Sequence, residues 1–387
     1  MNKSGIGVMF LITAALGISG CQKKEEARLT ESGLDSANFS SVFKGDSTCL
    51  VKLTNANGME VCITNFGGRI VSLMVPDKNG TKQDVVLGFD SVSQYFPENN
   101  LTDFGASIGR YANRISQGRF MLDGDTIQLP QNNFGHCLHG GAETGDLGWQ
   151  YHVYKVAEKT DSTLLLTLDS RDGENGFPGN VKANVLFTVT SENALKIEYS
   201  AITDKPTVIN MTNHSYFNLS GDPELSINDE TLCLKSTTFT PVDSTFMTTG
   251  EVLPVKDTPM DFTVEKLIGK DIESDYVQIK YANGYDHNFI LDTKGNVNEV
   301  AATLSDPRSG ITMDLYTNEP GLQVYTGNFL DGTIKGKKAK VYNQRHGICL
   351  ETQKYPDSPN KPQWPSAVLR PGETYNSICI FKFRVNK

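Results

Sequence analysis

Two residues in this sequence, a histidine and a glutamate, stand in settings that would equip them to move protons. His214 lies within Asn210-Met-Thr-Asn-His-Ser-Tyr-Phe-Asn-Leu-Ser-Gly221, where the alternation of residue types predicts one extended strand over 208–219. Counting by twos puts Val208, Asn210, Thr212, His214, Tyr216 and Asn218 on one face, and Ile209, Met211, Asn213, Ser215, Phe217 and Leu219 on the other. The first face suits a floor that hydrogen-bonds a hydroxyl-rich ligand, with a solvated outer surface as the plain alternative. Glu351 closes the apolar run Gly347-Ile-Cys-Leu-Glu351. A carboxylate in a buried run needs a partner or a task, and burial would lift its pKa toward neutrality, where it serves as a general base. A structural ion pair with Arg or Lys is the alternative.

Further segments set polar groups beside glycines or short strands. Ile108-Gly-Arg-Tyr-Ala-Asn-Arg-Ile115 is dense in guanidinium and amide donors suited to hydroxyls or a carboxylate, although a surface salt-bridging arginine would read the same way. In His136-Cys-Leu-His-Gly-Gly141 the two glycines let a ligand approach the backbone next to His139. His136 and His139 make a poor metal pair, because no cysteine or carboxylate nearby completes a set. In Tyr285-Asp-His-Asn-Phe-Ile-Leu291, Asp286 shares a face with Asn288 and is the ligand-facing candidate, whereas His287 points the other way and reads as structural. Gln323 and Tyr325 share a side of Gly321-Leu-Gln-Val-Tyr-Thr-Gly327.

The elements that would position these groups are mostly strands. Leu50-Val-Lys-Leu53 and Glu60-Val-Cys-Ile63 flank Asn-Ala-Asn-Gly, a hairpin with Gly58 in the turn. Strand signals recur through residue 383, and only short runs such as 92–95 and 264–270 look helical. Many strands between Gly, Asn, Asp and Pro turns, with no βαβ alternation, predict an all-β fold, a large antiparallel β-sandwich.

The 387-residue chain carries a formal charge of −9 and no basic cluster beyond short lysine runs, so it has no electrostatic footprint for nucleic acid. Residues 1–20 read as a signal peptide: a lysine near the start, then an apolar stretch too short to span a bilayer. Small residues before Cys21 resemble a bacterial lipobox, which makes Cys21 the expected lipidation site and 21–38 a polar tether. An ordinary cleaved leader is the alternative. The expected location is therefore exported and lipid-anchored, on the periplasmic side or at the outer membrane of a Gram-negative bacterium. The six remaining cysteines form no C-x-x-C pair and read as mostly free, buried thiols. Residues 39–387 show no internal repeat or linker and are expected to form one catalytic domain, with a monomer favoured.

In chain order, Asn65-Phe-Gly-Gly-Arg-Ile70, Gly109-Arg-Tyr-Ala-Asn-Arg-Ile115, Leu138-His-Gly-Gly141, Asp172-Gly-Glu-Asn-Gly-Phe-Pro-Gly179, Thr212-Asn-His-Ser-Tyr-Phe-Asn-Leu219, Asp286-His-Asn288, Pro320-Gly-Leu-Gln-Val-Tyr-Thr-Gly-Asn328 and Glu351-Thr-Gln353 together resemble the aldose 1-epimerase (galactose mutarotase) family. The resemblance spans the chain beyond the tether. It implies a curved β-sandwich with an open sugar cleft, a small aldose as substrate, and no cofactor. It also implies Glu351 as general base, His214 as general acid, and Asn113, Arg114, His139, Asp286 and Gln323 as sugar contacts. Phe66-Gly-Gly, in place of the commoner Tyr-Gly-Ala, and the His136-Cys137 pair depart from the family pattern and bear on substrate preference.

Two other classes compete. A domain that only binds carbohydrate would need the hydroxyl contacts but not both acid and base. A glycoside hydrolase would use two carboxylates, for which Asp286 and Glu351 are the candidates. Sugar 6-phosphates would require additional cationic groups, and export disfavours them.

Overall fold

The computed structural model describes Met1, residues 29–141 and residues 147–386. The expected signal peptide, Cys21 and the start of the tether lie outside the described residues. Within them, strands are organised mainly into three antiparallel sheets. The largest has nine strands in the order Lys155–Lys159, Thr163–Ser170, Val181–Val189, Ala194–Thr203, Tyr375–Val385, Ile311–Thr317, Ala302–Ser305, Thr231–Leu234 and Lys266–Leu267. A six-stranded sheet runs Tyr216–Phe217, Ile348–Gln353, Gly321–Tyr325, Asp286–Ile290, Thr238–Thr240 and Leu253–Pro254. A four-stranded meander, Leu50–Thr54 to Lys82–Asp84, completes the set and contains the expected hairpin, with Gly58 in the left-handed region.

Burial patterns show how the sequence chooses its layers. In Val181–Val189 burial alternates: Val181, Ala183, Val185, Phe187 and Val189 face the core while Lys182 faces water. That is the signature of a sheet covered on one side. The main core joins this face to Leu53, Val61 and Leu73 of the meander and to Phe289, Leu322, Val324 and Leu350 of the six-stranded sheet. The result is the expected β-sandwich.

The six-stranded sheet differs, because Ile348–Gln353 is buried on both faces. Ile348 and Leu350 enter the core, whereas Glu351 and Gln353 point to the opposite side, where loops cover them. Strand register then lines up Glu351 with Gln323 and Gln323 with Asn288; one step along, Cys349 pairs with Tyr325 and Tyr325 with Asp286. A buried polar face is expensive unless it is hydrogen-bonded or used.

Three expectations are corrected. The run 208–219 is not one strand: Thr207–Val208 pairs with Val368–Leu369, Thr212–His214 with Ala106–Ile108, and Tyr216–Phe217 with Ile348–Gln353. Tertiary partners break a locally continuous pattern. Residues 264–270 are not helical throughout, since Lys266–Leu267 is a strand followed by a 3-10 turn. The α-helix among the described residues is instead Val277–Ala282, whose six residues are too few for a 3.6-residue period to register. Finally, 29–38 is packed and not a free tether: Leu34 is buried, Ser32 hydrogen-bonds Ser72, and Glu31 pairs with Lys82. The six cysteines of the described residues are free, and Cys62, Cys137, Cys349 and Cys379 are buried.

Gly109, directly after Ala106–Ile108, lies against the Trp149 indole, and a Cβ there would collide with that ring. Gly109→Ala should therefore destabilise the fold by about 1–3 kcal/mol through overpacking, read as a lower urea midpoint. An unchanged midpoint would show that the indole moves freely.

Candidate active site

The pairing of Thr212–His214 with Ala106–Ile108 sets His214 opposite Ala106, while the neighbouring Ile348–Gln353 strand carries Glu351. His214 Nε2 stands 3.6 Å from Glu351 Oε1, with both side chains buried. This is longer than a hydrogen bond but close enough for strong mutual attraction in a dry setting. Among the described residues, Glu351 Oε2 has no hydrogen-bond partner. Burial pushes the Glu351 carboxyl up to about 7, and the nearby His214 charge pulls it partly back.

The histidine is oriented from several sides. Its Nδ1 is 3.4 Å from the Cys349 thiol, whose pKa burial raises far enough to keep it neutral. The Tyr216 ring stacks on the imidazole at 5.2 Å, and His139 meets it edge-on at the same distance. Nδ1 is engaged with the Cys349 sulfur, so Nε2, which faces Glu351, is the nitrogen left to exchange a proton.

Around this pair lies a cavity of about 310 Å³ lined by Asn113, Arg114, His139, Asp286 and Tyr325 among others. Its size and mixed walls suit one small polar molecule. A wider hollow of about 550 Å³ beside Asn65, His152 and Thr167 holds no buried acid–base pair.

Asn113 and His139 fix each other: the Asn113 N–H donates to His139 Nδ1 at 3.2 Å, and the His139 N–H returns a bond to Asn113 O at 3.0 Å. Both residues adopt positive φ, a strained conformation that these reciprocal bonds hold. Burial lowers the His139 pKa to about 3, so the ring is neutral and, with Nδ1 accepting, carries its proton on Nε2. Arg114 is buried with its guanidinium over the Phe246 ring at 5.1 Å and Nε donating to Asn133. It forms no surface salt bridge; its charge faces Asp286 and Glu351. Gln323 Nε2 donates to Asp286 Oδ1 at 2.6 Å, and burial raises the Asp286 pKa while Arg114 and Gln323 oppose the shift.

All seven expected site residues other than Cys21 therefore converge, six of them on the cavity wall; Gln323 stands behind Asp286. Of the other polar residues of the first motif, Tyr216 also lines the cavity, whereas Asn210 and Asn218 do not. Asn210 spends its amide on the backbone of Ala112 and Lys354, and Asn218 on Leu225 and His346. Arg110 is locked to Ser170, Arg171 and Pro178. His136 bonds Gln117 and Thr245 and shares no ligand sphere with His139, and His287 is a buried structural residue bonded to Gln278. Sequence reasoning missed Asp103, Phe134, Phe246 and Phe329, which line the cavity from loops. No periodic signal marks loop residues of this kind.

A sandwich that buries an unbonded His–Glu pair above a pocket of hydroxyl-matching side chains defines an acid–base enzyme acting on a small polyol. Residues 50–382 match the family profile described as aldose 1-epimerase. The chain is 40% identical over 328 residues to human galactose mutarotase, covering 84% of this chain and 92% of the human protein. It is 37% identical over 336 residues to the aldose 1-epimerase of Escherichia coli, covering 86% and 94%. Among solved structures, a Caenorhabditis elegans aldose epimerase homologue superposes with a TM-score of 0.78 at 29% identity, covering 88% of this chain and 100% of that one. Galactose 1-epimerase from Lactobacillus acidophilus gives 0.77 at 29%, covering 90% and 97%. The chain belongs to the aldose 1-epimerase family. It is an isomerase that interconverts the α- and β-anomers of aldoses.

Because the folded Glu351 pKa is raised above its unfolded value near 4.5, the native state binds the extra proton between about pH 4.5 and 7. Ionising Glu351 thus costs stability as pH rises through that window. Glu351→Gln should melt higher than wild type at pH 8, with the gap closing by pH 4. Equal melting curves at both pH values would contradict the buried, shifted carboxyl.

Proposed function

We propose that Glu351 is the general base at the C1 hydroxyl and His214 the general acid at the ring oxygen. The observation that carries this reading is the buried 3.6 Å His214–Glu351 pair opening on the sugar-sized cavity. In ring opening, Glu351 takes the proton of the C1 hydroxyl, the C1–O5 bond breaks as C1=O1 forms, and the His214 imidazolium protonates O5. Rotation about C1–C2 presents the other carbonyl face. Closure then runs the same transfers in reverse.

The pair begins as carboxylate and imidazolium and ends as acid and neutral imidazole, so the net charge of the site stays constant. No charge has to enter or leave the low-dielectric cleft, which keeps the electrostatic cost of the step small. This chemistry calls for no cofactor. Asn113, Arg114, His139 and Asp286 hold the sugar hydroxyls, and Gln323 holds Asp286 in place.

The substrate we propose is a free aldose of the galactose or glucose type. Relatives that include the human protein carry the name galactose mutarotase. Asp103, Asp286 and Glu351 face a single guanidinium, Arg114, in the cavity wall. A phosphate would meet more negative than positive charge there, which disfavours sugar phosphates. We further propose that the protein is exported through the leader 1–20, lipidated at Cys21 on the periplasmic side or at the outer membrane of a Gram-negative bacterium, and monomeric. The leader composition and the small residues before Cys21 support the first two points.

Polarimetry of freshly dissolved α-galactose or α-glucose tests the reaction. Wild type should accelerate the approach to equilibrium, and His214→Ala or Glu351→Ala should lose at least about 10²-fold while remaining folded. A variant at wild-type rate removes that residue from the chemistry. In the free enzyme kcat/KM should rise with pH through about 7, as Glu351 ionises. Growth with a radiolabelled fatty acid tests the anchor: label should enter wild type and be lost in Cys21→Ala.

A further inference from the structure

Asp103 is a cleft carboxylate for which the proton transfers above have no use. Its placement is heavily built. Arg69, fully buried, donates to the carbonyl oxygens of Thr102 at 3.0 Å and Phe104 at 3.1 Å, on either side of Asp103, and the Ala106 N–H holds the Asp103 carbonyl at 3.0 Å. Asp103 Oδ1 is buried without a hydrogen-bond partner among the described residues. Leaving such an oxygen unsatisfied costs desolvation that a ligand donor would recover.

One Asp103 oxygen, one His139 nitrogen and one His214 nitrogen all lie within 4.8 Å of one another. Three such points lie within 4.8/√3, or about 2.8 Å, of a common centre, which is the length of a hydrogen bond to oxygen. The donor set argues against a metal, because His139 Nδ1 already accepts the Asn113 N–H and Nε2 carries the ring proton, leaving neither nitrogen a free lone pair.

We propose that Asp103 is a specificity-determining contact that, together with His139, holds one sugar hydroxyl beside His214. Asp103 accepts the hydroxyl proton, and the His139 Nε2–H donates to the hydroxyl oxygen. His214 serves the ring oxygen, so the hydroxyl belongs to the ring-oxygen side of the sugar, at C4 or C6. The assignment rests on the His214–Glu351 reading of the site.

The test measures kcat and KM for galactose and its 2-, 3-, 4- and 6-deoxy analogues in wild type, Asp103→Ala and the isosteric Asp103→Asn. Thermal melts check that each variant is folded. Wild-type acceleration with galactose checks the underlying reading separately. Asp103→Ala should raise KM for galactose by about tenfold or more, the effect of losing a hydrogen bond to a charged group, while kcat falls less than about threefold. Wild type should discriminate against the 4- or the 6-deoxy sugar, and Asp103→Ala should erase that discrimination alone; Asp103→Asn should lie between the two. An unchanged KM, an equal loss for all five sugars, or lost discrimination at the 2- or 3-position would each overturn the proposal.

Discussion

Removing Glu351 from water beside His214 is the constraint around which this protein is arranged. A carboxyl at the surface would sit near its ordinary pKa and make a feeble base at neutral pH. Here a strand buried on both faces lifts it to about 7, and the neighbouring imidazole limits the rise. The 3.6 Å gap leaves the two groups attracted but not hydrogen-bonded to each other, which suits the proton exchange with sugar proposed for them.

The rest of the fold supplies the conditions for that pair. The nine-stranded sheet and the meander bury the apolar side of the six-stranded sheet, which frees its other side to carry polar groups. Loop residues such as Phe134, Phe246 and Phe329 then wall the polar side. Within the cleft most side chains arrive already oriented: His139 by Asn113, Asp286 by Gln323, Arg114 by Asn133 and Phe246. Such preorganisation limits reorganisation when substrate binds and when charge shifts during ring opening.

The parts of this design that were legible in the sequence are those with local signals. Glu351 was visible as a charge ending an apolar run, and the 50–63 hairpin as alternation around Gly58. The His214 segment was legible in composition but not in shape. Its residues read as one strand because side-chain alternation is local, whereas its division into three pieces comes from partners more than 100 residues away in sequence: Val368–Leu369, Ala106–Ile108 and Ile348–Gln353. That division turns Asn210 and Asn218 into backbone clamps instead of ligand contacts. Asp103 and the cleft phenylalanines come from loops, where neither period nor propensity marks a residue for function. Family motifs carried the assignments that spacing could not.

The most direct measurement of the central claim is the ionisation of Glu351 itself, followed by carboxyl ¹³C resonance in selectively labelled protein across pH. The account predicts that Glu351 titrates near 7 in wild type, and higher when His214→Gln removes the neighbouring positive charge that favours ionisation. A titration near the ordinary value of about 4.3, unaffected by the loss of His214, would contradict it.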